Sequence, residues 1–454
     1  MFRIAVLLVL GLCIVLSAAQ AAPPARSAIL FIGDGVDDHQ LTLGRNYLHG
    51  AAGTLVFEGL EQRATARVLT IQESDPTLPE YVGDSASGGT AMSAGVVTSR
   101  GRVATTAGSD EDVVTIAELA KAAGKKVGIV ATSSLTDATP ASFYAHVSLR
   151  FCEGPEDMSG TRGRLRQGAR CPQDDTANGG LGSIAEQLAR SRVDVALGGG
   201  LETFLQRTHG GATVLEIAEK AGFRVVRSGE ALAGVNRGRV LGLFGDGTLP
   251  VIWQGEGGAS AERLQSVGGG APPPVPRFGC EPSPSFGETP TLEEMTRKAI
   301  ELLSAEDDSF FLMVESASID KQAHAANPCG QIGEIRQLEE AVQVALDFAE
   351  DHPDTLIVVG SDHGQAGQVI PYPSLFAALG RRTGSAVHSP GQFAVLETPE
   401  GGTMGVSYAT STAFAEEHTG TAIPVFGQGP GSEALRGLID QADVFAILKA
   451  ALGL

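Results

Sequence analysis

Ser85 lies in the run Gly83-Asp84-Ser85-Ala86-Ser87-Gly88-Gly89-Thr90, a glycine-flanked serine with no histidine close to it in sequence. Glycines permit a tight turn that exposes a hydroxyl, and Thr90-Ala91-Met92-Ser93-Ala94 reads as the start of a helix whose N-terminal dipole favours an anion. A loop serine of this kind is ordinarily a plain turn residue. To act as a nucleophile at neutral pH it needs a base or a metal ion to favour the alkoxide. The case for Ser85 therefore rests on residues far from it in the chain.

Asp320-Lys321-Gln322-Ala323-His324 puts a carboxylate and an imidazole four apart, on one side of a helical turn and able to grip one ion. Asp362 and His363 are adjacent, so their side chains diverge unless the backbone turns. Glu417-His418-Thr419-Gly420 supplies a further histidine in a loop. Of the nine histidines, only His324, His363 and His418 have this context; the others, among them His146 and His388, read as surface or core residues. Mixed histidine and carboxylate ligands suit zinc, whereas Asp, Glu and Thr oxygens suit magnesium. Asp34, Asp137, Glu315, Asp320 and Asp362 with three histidines exceed the needs of one ion. Together with a Ser85 alkoxide those carboxylates carry six negative charges. Two or three divalent ions near Ser85 would reverse that field.

The elements that must position these residues follow one grammar. Apolar runs at 28–32, 127–131, 310–314 and 355–359 are closely followed by Asp34, Asp137, Glu315 and Asp362. A further run at 193–197 enters Gly198-Gly199-Gly200, which reads as a turn and not as a dinucleotide fingerprint. Helical faces intervene: Val113, Ile116, Leu119 and Ala123, closed by Gly124; a helix opening at Thr289-Pro290 and running to Leu303; and the stripe Ile335, Leu338, Val342, Leu346, Ala349. Near-continuous apolar strands alternating with helices predict an α/β fold with a mostly parallel central sheet and helices on both faces. In such sheets ligands bind beyond the carboxyl ends of the strands, so the four acids should converge there.

Residues 1–21 read as a cleaved secretory signal: Met1-Phe2-Arg3, an apolar run from Ile4 to Leu16, and the cleavage site Ala19-Gln20-Ala21. That run is shorter than a membrane span needs, so a periplasmic or secreted product without stable membrane association is expected. Removing Cys13 leaves Cys152, Cys171, Cys280 and Cys329, an even number that favours two disulfides in an exported chain. Local pairing joins Cys152 to Cys171 and leaves Cys280 with Cys329; the other connectivities stay open. A net charge of −20 argues against nucleic acid as a specific partner. Residues 22–454 show no repeat and no composition break and are read as a single catalytic domain, with a Gly/Pro-rich surface excursion at about 254–288.

Taken together these motifs resemble the bacterial alkaline phosphatases across nearly all of residues 22–454. Ile32-Gly33-Asp34-Gly35 is similar to the family's first ligand turn and Asp84-Ser85-Ala86 to its nucleophile. Asp137-Ala138-Thr139-Pro140-Ala141, continuing through Ala145-His146-Val147 to Arg150, resembles its magnesium and phosphate-binding segment. The most specific stretch runs from Val314-Glu315-Ser316-Ala317-Ser318-Ile319-Asp320-Lys321-Gln322 through His324-Ala325-Ala326-Asn327-Pro328-Cys329-Gly330. The resemblance implies two zinc ions and one magnesium per chain. Asp320, His324 and His418 would hold one zinc, and Asp34, Asp362 and His363 the other, beside the Ser85 oxygen. Magnesium would take Asp34, Asp137, Thr139 and Glu315. Arg150 would hold phosphate, and Lys321 would approach it through water. The implied reaction is hydrolysis of small phosphate monoesters through a phosphoserine on Ser85.

The resemblance leaves a homodimer open, since residues 22–33 are a short arm before Asp34, where dimeric relatives carry a longer one that embraces the partner. Ala323 stands where some relatives have an acid near the metals. Competing readings are a phosphodiesterase of the same superfamily and a non-catalytic exported protein that sequesters zinc or phosphate. A metal-free lipase-type triad would need an Asp-x-x-His near the C-terminus, and a sulfatase a CxPxR-like site; neither is present.

Overall fold

The computed structural model describes residues 24–158, 170–263, 275–373 and 391–454. The signal expected at residues 1–21, and His388, lie outside these residues. Ten strands form one sheet in the order Gly437–Asp440, Gln62–Arg67, Ile423–Gln428, Thr355–Gly360, Ser27–Gly33, Phe310–Ser316, Lys126–Ser134, Val195–Gly199, Arg239–Leu243, Phe223–Val226. Only Ile423–Gln428 runs against the rest. The expected mostly parallel α/β sheet is therefore present, with one buried apolar cluster on each face.

Ser27–Gly33 is buried along its whole length because it has parallel neighbours on both sides and helices on both faces. Fully burying Ile29, Phe31 or Ile32 contributes roughly 1.5–3 kcal/mol each. The long helix Pro328–Asp351 packs on one face, opened by Asn327, whose side chain accepts from the Gly330 N–H, with Pro328 at its first position. Its residues Ile335, Leu338 and Val342 are buried, as the stripe predicts. The helix expected from Thr289-Pro290 begins later: Thr291 caps Leu292–Ser304 through the Glu294 N–H, because a threonine with Glu three residues on completes a capping box.

Residues 254–288 do more than loop over the surface. Trp253–Gly255 pairs with Cys280–Pro282, while Glu262–Arg263 and Arg277–Phe278 add to a second sheet built on Gln392–Glu397 and Thr403–Tyr408. Ala261, Val275 and Phe278 are buried there, so isolated apolar residues between the glycines and prolines supply local anchors. Cys152 is bonded to Cys171 and Cys280 to Cys329. The second bridge ties this region to the first turn of the long helix.

Under that helix Glu334 is buried, accepting from Gln337 Nε2 at 2.7 Å, Thr132 Oγ1 at 3.3 Å and Ser316 Oγ at 3.4 Å. Burial pushes its carboxyl up to about 7, and those three donors only partly offset the shift. A carboxyl raised in the folded state favours folding below its unfolded value of 4.5, and this contribution is lost as pH rises to about 7. Between pH 5 and pH 8 the wild type should lose up to about 3 kcal/mol through this group. The Tm difference, Glu334→Gln minus wild type, should therefore become more positive from pH 5 to pH 8. A pH-independent difference would contradict the assignment.

Candidate active site

Ser85 is the first residue of the helix Ser85–Ala94, not a turn residue before a helix at Thr90. Asp84 is the cap: its Oδ1 accepts from the Ser87 N–H at 3.0 Å, and Ser87 Oγ accepts from the Asp84 N–H at 3.1 Å. The sequence alone suggests a glycine-rich turn there, but Gly88 and Gly89 lie inside the helix. Their role is close packing. A Cβ on Gly88 would stand 2.3 Å from the Asp362 carbonyl oxygen, and one on Gly89 2.9 Å from Ser142 Oγ. The missing side chains let the helix Ser85–Ala94 rest directly on the Asp362-His363 turn, and Ser85 Oγ comes within 3.3 Å of His363 Nε2.

Two clusters meet beside Ser85. Asp34, Asp362 and His363 form one, with His363 Nε2 at 3.4 Å from Asp34 Oδ1 and 3.5 Å from Asp362 Oδ2. The neighbours Asp362 and His363 do point the same way, because the backbone turns: Asp362 Oδ1 accepts from the Gly35 and His363 N–H groups at 2.9 and 3.0 Å. Asp320 and His418, again with His363, form the second cluster. His324 joins it, its Nε2 standing 3.4 Å from Asp320 Oδ2 and 3.1 Å from His418 Nε2, while His418 Nε2 is 3.4 Å from Asp320 Oδ1. The His363 and His418 rings stack at 3.7 Å between centroids.

The tautomers follow from the backbone. His363 Nδ1 faces the Gly364 carbonyl at 3.2 Å, His418 Nδ1 the Gly83 carbonyl at 3.0 Å, and His324 Nδ1 the Glu416 carbonyl. A carbonyl only accepts, so each Nδ1 carries the proton and each Nε2 presents a lone pair to the centre. Asp34 Oδ1 and Asp362 Oδ2 are buried there with no hydrogen-bond partner among the described residues. Lone pairs from three imidazoles, converging on unpartnered carboxylate oxygens, fit divalent cations with nitrogen and oxygen ligands.

Arg150 donates to Asp84 Oδ2 at 3.1 Å and to Asp137 Oδ1 at 2.9 Å, and Lys321 Nζ donates to Asp137 Oδ2 at 2.7 Å. Asp137 Oδ1 also accepts from the Ala138 N–H at 2.8 Å, as cap of the helix Ala138–Ala141 that carries Thr139. Both Asp137 oxygens are thus engaged by cations of this chain, and Asp137 lies in neither acid–histidine cluster. Glu315 is buried at the end of Phe310–Ser316, where its Oε2 accepts from Ser133 Oγ at 2.9 Å.

The electrostatics separate these acids. Burial, then Asp362 and Asp320, raises Asp34 well above the usual carboxylate range. Burial and the Asp137 charge push Glu315 up to about 8. Burial would also raise Asp137, but Lys321 and Arg150 overcome it and hold the carboxyl low. Burial and then His363 lower His418 to about 4, keeping its imidazole neutral and able to ligate.

Several supporting residues carry no sequence signal of their own. Gln365 Nε2 donates to Asp320 Oδ1 at 2.6 Å, and Gln441 Nε2 holds the Ser361 and Asp362 carbonyls at 3.0 and 2.7 Å. Asp84 directly precedes Ser85 in sequence, yet its hold on Arg150 is visible only in three dimensions.

The family profile described as alkaline phosphatase matches residues 25–393. The chain belongs to the alkaline phosphatase family. It is 42% identical over 448 residues to the streptomycin-6-phosphate phosphatase of Streptomyces griseus, covering 95% of this chain and 91% of that one. It is 40% identical over 446 residues to the alkaline phosphatase of Escherichia coli K12, covering 95% and 87%. The alkaline phosphatase of the Antarctic bacterium TAB5 shares the fold, with a TM-score of 0.66 at 24% identity over 95% of this chain and 98% of that one. The family assignment makes the chain an enzyme of the phosphomonoesterase class, and the acid–histidine clusters suit the metal dependence of alkaline phosphatases.

Proposed function

We propose that this alkaline phosphatase family member is an exported enzyme that hydrolyses small phosphate monoesters through a phosphoserine on Ser85, with two zinc ions and one magnesium per chain. The observation that carries the reading is the meeting of two buried acid–histidine clusters at His363, within 3.3 Å of Ser85 Oγ. Asp34, Asp362 and His363 would hold one zinc and Asp320, His324 and His418 the other; Asp34, Glu315 and Thr139 would hold magnesium, with Asp137 close by. The ions supply positive charge that favours the serine alkoxide and neutralises the phosphoryl oxygens.

This chain's own residues do the rest. The helix start orients Ser85 Oγ for in-line attack on phosphorus, and the alcohol leaves on the opposite side. Arg150, released from Asp84 and Asp137, offers two parallel N–H groups to two phosphate oxygens. Lys321, locked to Asp137, places a second positive charge behind them. Water then attacks the phosphoserine and regenerates Ser85. Export is supported by residues 1–21 and by the disulfide pair; no helix among the described residues is long and apolar enough to cross a membrane.

Turnover of an aryl phosphate monoester, set against the matching diester, tests the reading. Monoester preference and acid-stable label on the Ser85 peptide are expected; metal binding without turnover would favour sequestration instead. Arg150→Ala should weaken inorganic phosphate inhibition and raise KM by roughly ten- to a hundredfold, since it removes a bidentate charge-assisted contact of about 1.5–3 kcal/mol. Unchanged phosphate affinity would remove Arg150 from the phosphate site.

A further inference from the structure

A groove of about 460 Å³ opens between Ile116–Ala122, the chain at 143–146 and the end of Ile184–Arg190. None of the clustered acids or histidines lines it. Its volume falls within the range of small-ligand sites. Phe143, Tyr144 and Val193 are buried in its wall, and Leu181, about half exposed, stands on its rim.

Charge distinguishes it from an ordinary apolar dent. In a chain of net charge −20, Lys121, Arg190 and Arg192 all line this one groove. Lys121 is paired with Asp194 at 2.7 Å and Arg190 with Glu186 at 3.2 Å. Arg192 is exposed and makes no ion pair among the described residues. The one acid lining the groove, Glu118, is turned onto His146 Nε2 at 3.1 Å. An occupant would therefore meet an apolar bed and an uncompensated guanidinium.

The walls are fixed before any ligand arrives. Thr115 Oγ1 donates to the Phe143 carbonyl at 2.9 Å, Tyr144 Oη to the Leu135 carbonyl at 2.5 Å, and Gln187 exchanges hydrogen bonds of 2.9 and 2.8 Å with the His146 backbone. Such preorganisation lowers the cost of binding.

We infer that this groove is a second, non-catalytic binding site for a small amphipathic organic anion, its ring or chain lying on Phe143, Tyr144 and Val193 and its acidic group against Arg192. The site is distinct from the phosphate centre, although its wall belongs to the stretch between Asp137 and Arg150.

The probe is 8-anilinonaphthalene-1-sulfonate, titrated by fluorescence into the folded, metal-loaded protein. One saturable site is expected, unaffected by saturating inorganic phosphate. Arg192→Glu and Leu181→Asp, both at exposed positions, should each weaken it roughly tenfold while monoester turnover stays as in the wild type. Unsaturable binding, wild-type affinity in both variants, or displacement by phosphate would overturn the inference. Equal affinity for a cationic dye of the same ring size would do so too, since it would remove the role of Arg192.

Discussion

Replacing Ser85 with alanine is expected to lower kcat for an aryl phosphate monoester by roughly three to five orders of magnitude and to abolish the acid-stable phosphoenzyme. The fold should be untouched. Ser85 Oγ makes one side-chain hydrogen bond among the described residues, to His363 Nε2, while the cap of its helix is formed by Asp84 and Ser87. Alanine is well suited to a helix position, and the acid–histidine clusters use no Ser85 atom. Metal content by elemental analysis and Tm should therefore match the wild type, which separates loss of the nucleophile from loss of the centre. Label on another peptide, or a Ser85→Ala variant that keeps its burst, would assign the nucleophile elsewhere.

Chelation is expected to have the second largest effect. Stripping the protein should bring monoester turnover to background and lower Tm by about 10 °C or more, because ligands bound only to the native state stabilise it by mass action. The structure gives a specific reason. Asp34 Oδ1 and Asp362 Oδ2 are buried without partners among the described residues, and Asp34 stands among Asp362, Asp320 and Glu315. Like charges out of water are costly unless neutralised. Zinc with magnesium should restore both readouts, whereas the Ser85→Ala variant should recover Tm alone. A stripped protein that retains full turnover would return the reaction to metal-free chemistry.

Much of this centre was legible in the sequence because of one regularity: an apolar run long enough for a buried strand, then an acid. Asp34, Glu315 and Asp362 obey it, and parallel pairing brings their strands side by side at the middle of the sheet. The Asp320 and His324 pair was legible from helical spacing and does lie on the helix Ser318–His324. What stayed hidden was set by tertiary context. Gly88 and Gly89 suggest a loop on local propensity, yet the Asp362 carbonyl and Ser142 demand their lack of a side chain within a helix. The tautomers depend on the carbonyls of Gly83, Gly364 and Glu416, and a carbonyl has no letter in the sequence. Gln365 and Gln441 act through single amide hydrogen bonds that leave no periodicity, and the second sheet is made of strands of two to six residues with weak alternation.

The position of Ser27–Gly33 in the middle of the sheet governs when the centre can exist. This first described strand has neighbours that come from Phe310–Ser316 and Thr355–Gly360, and the Gly35 N–H bonds a carboxylate 327 residues away. His418 and Gln441 arrive later still. Contacts of such sequence separation form slowly and only once both partners have been synthesised. The centre is therefore complete only once the chain has been made as far as Gln441, and activity marks a chain synthesised to that point.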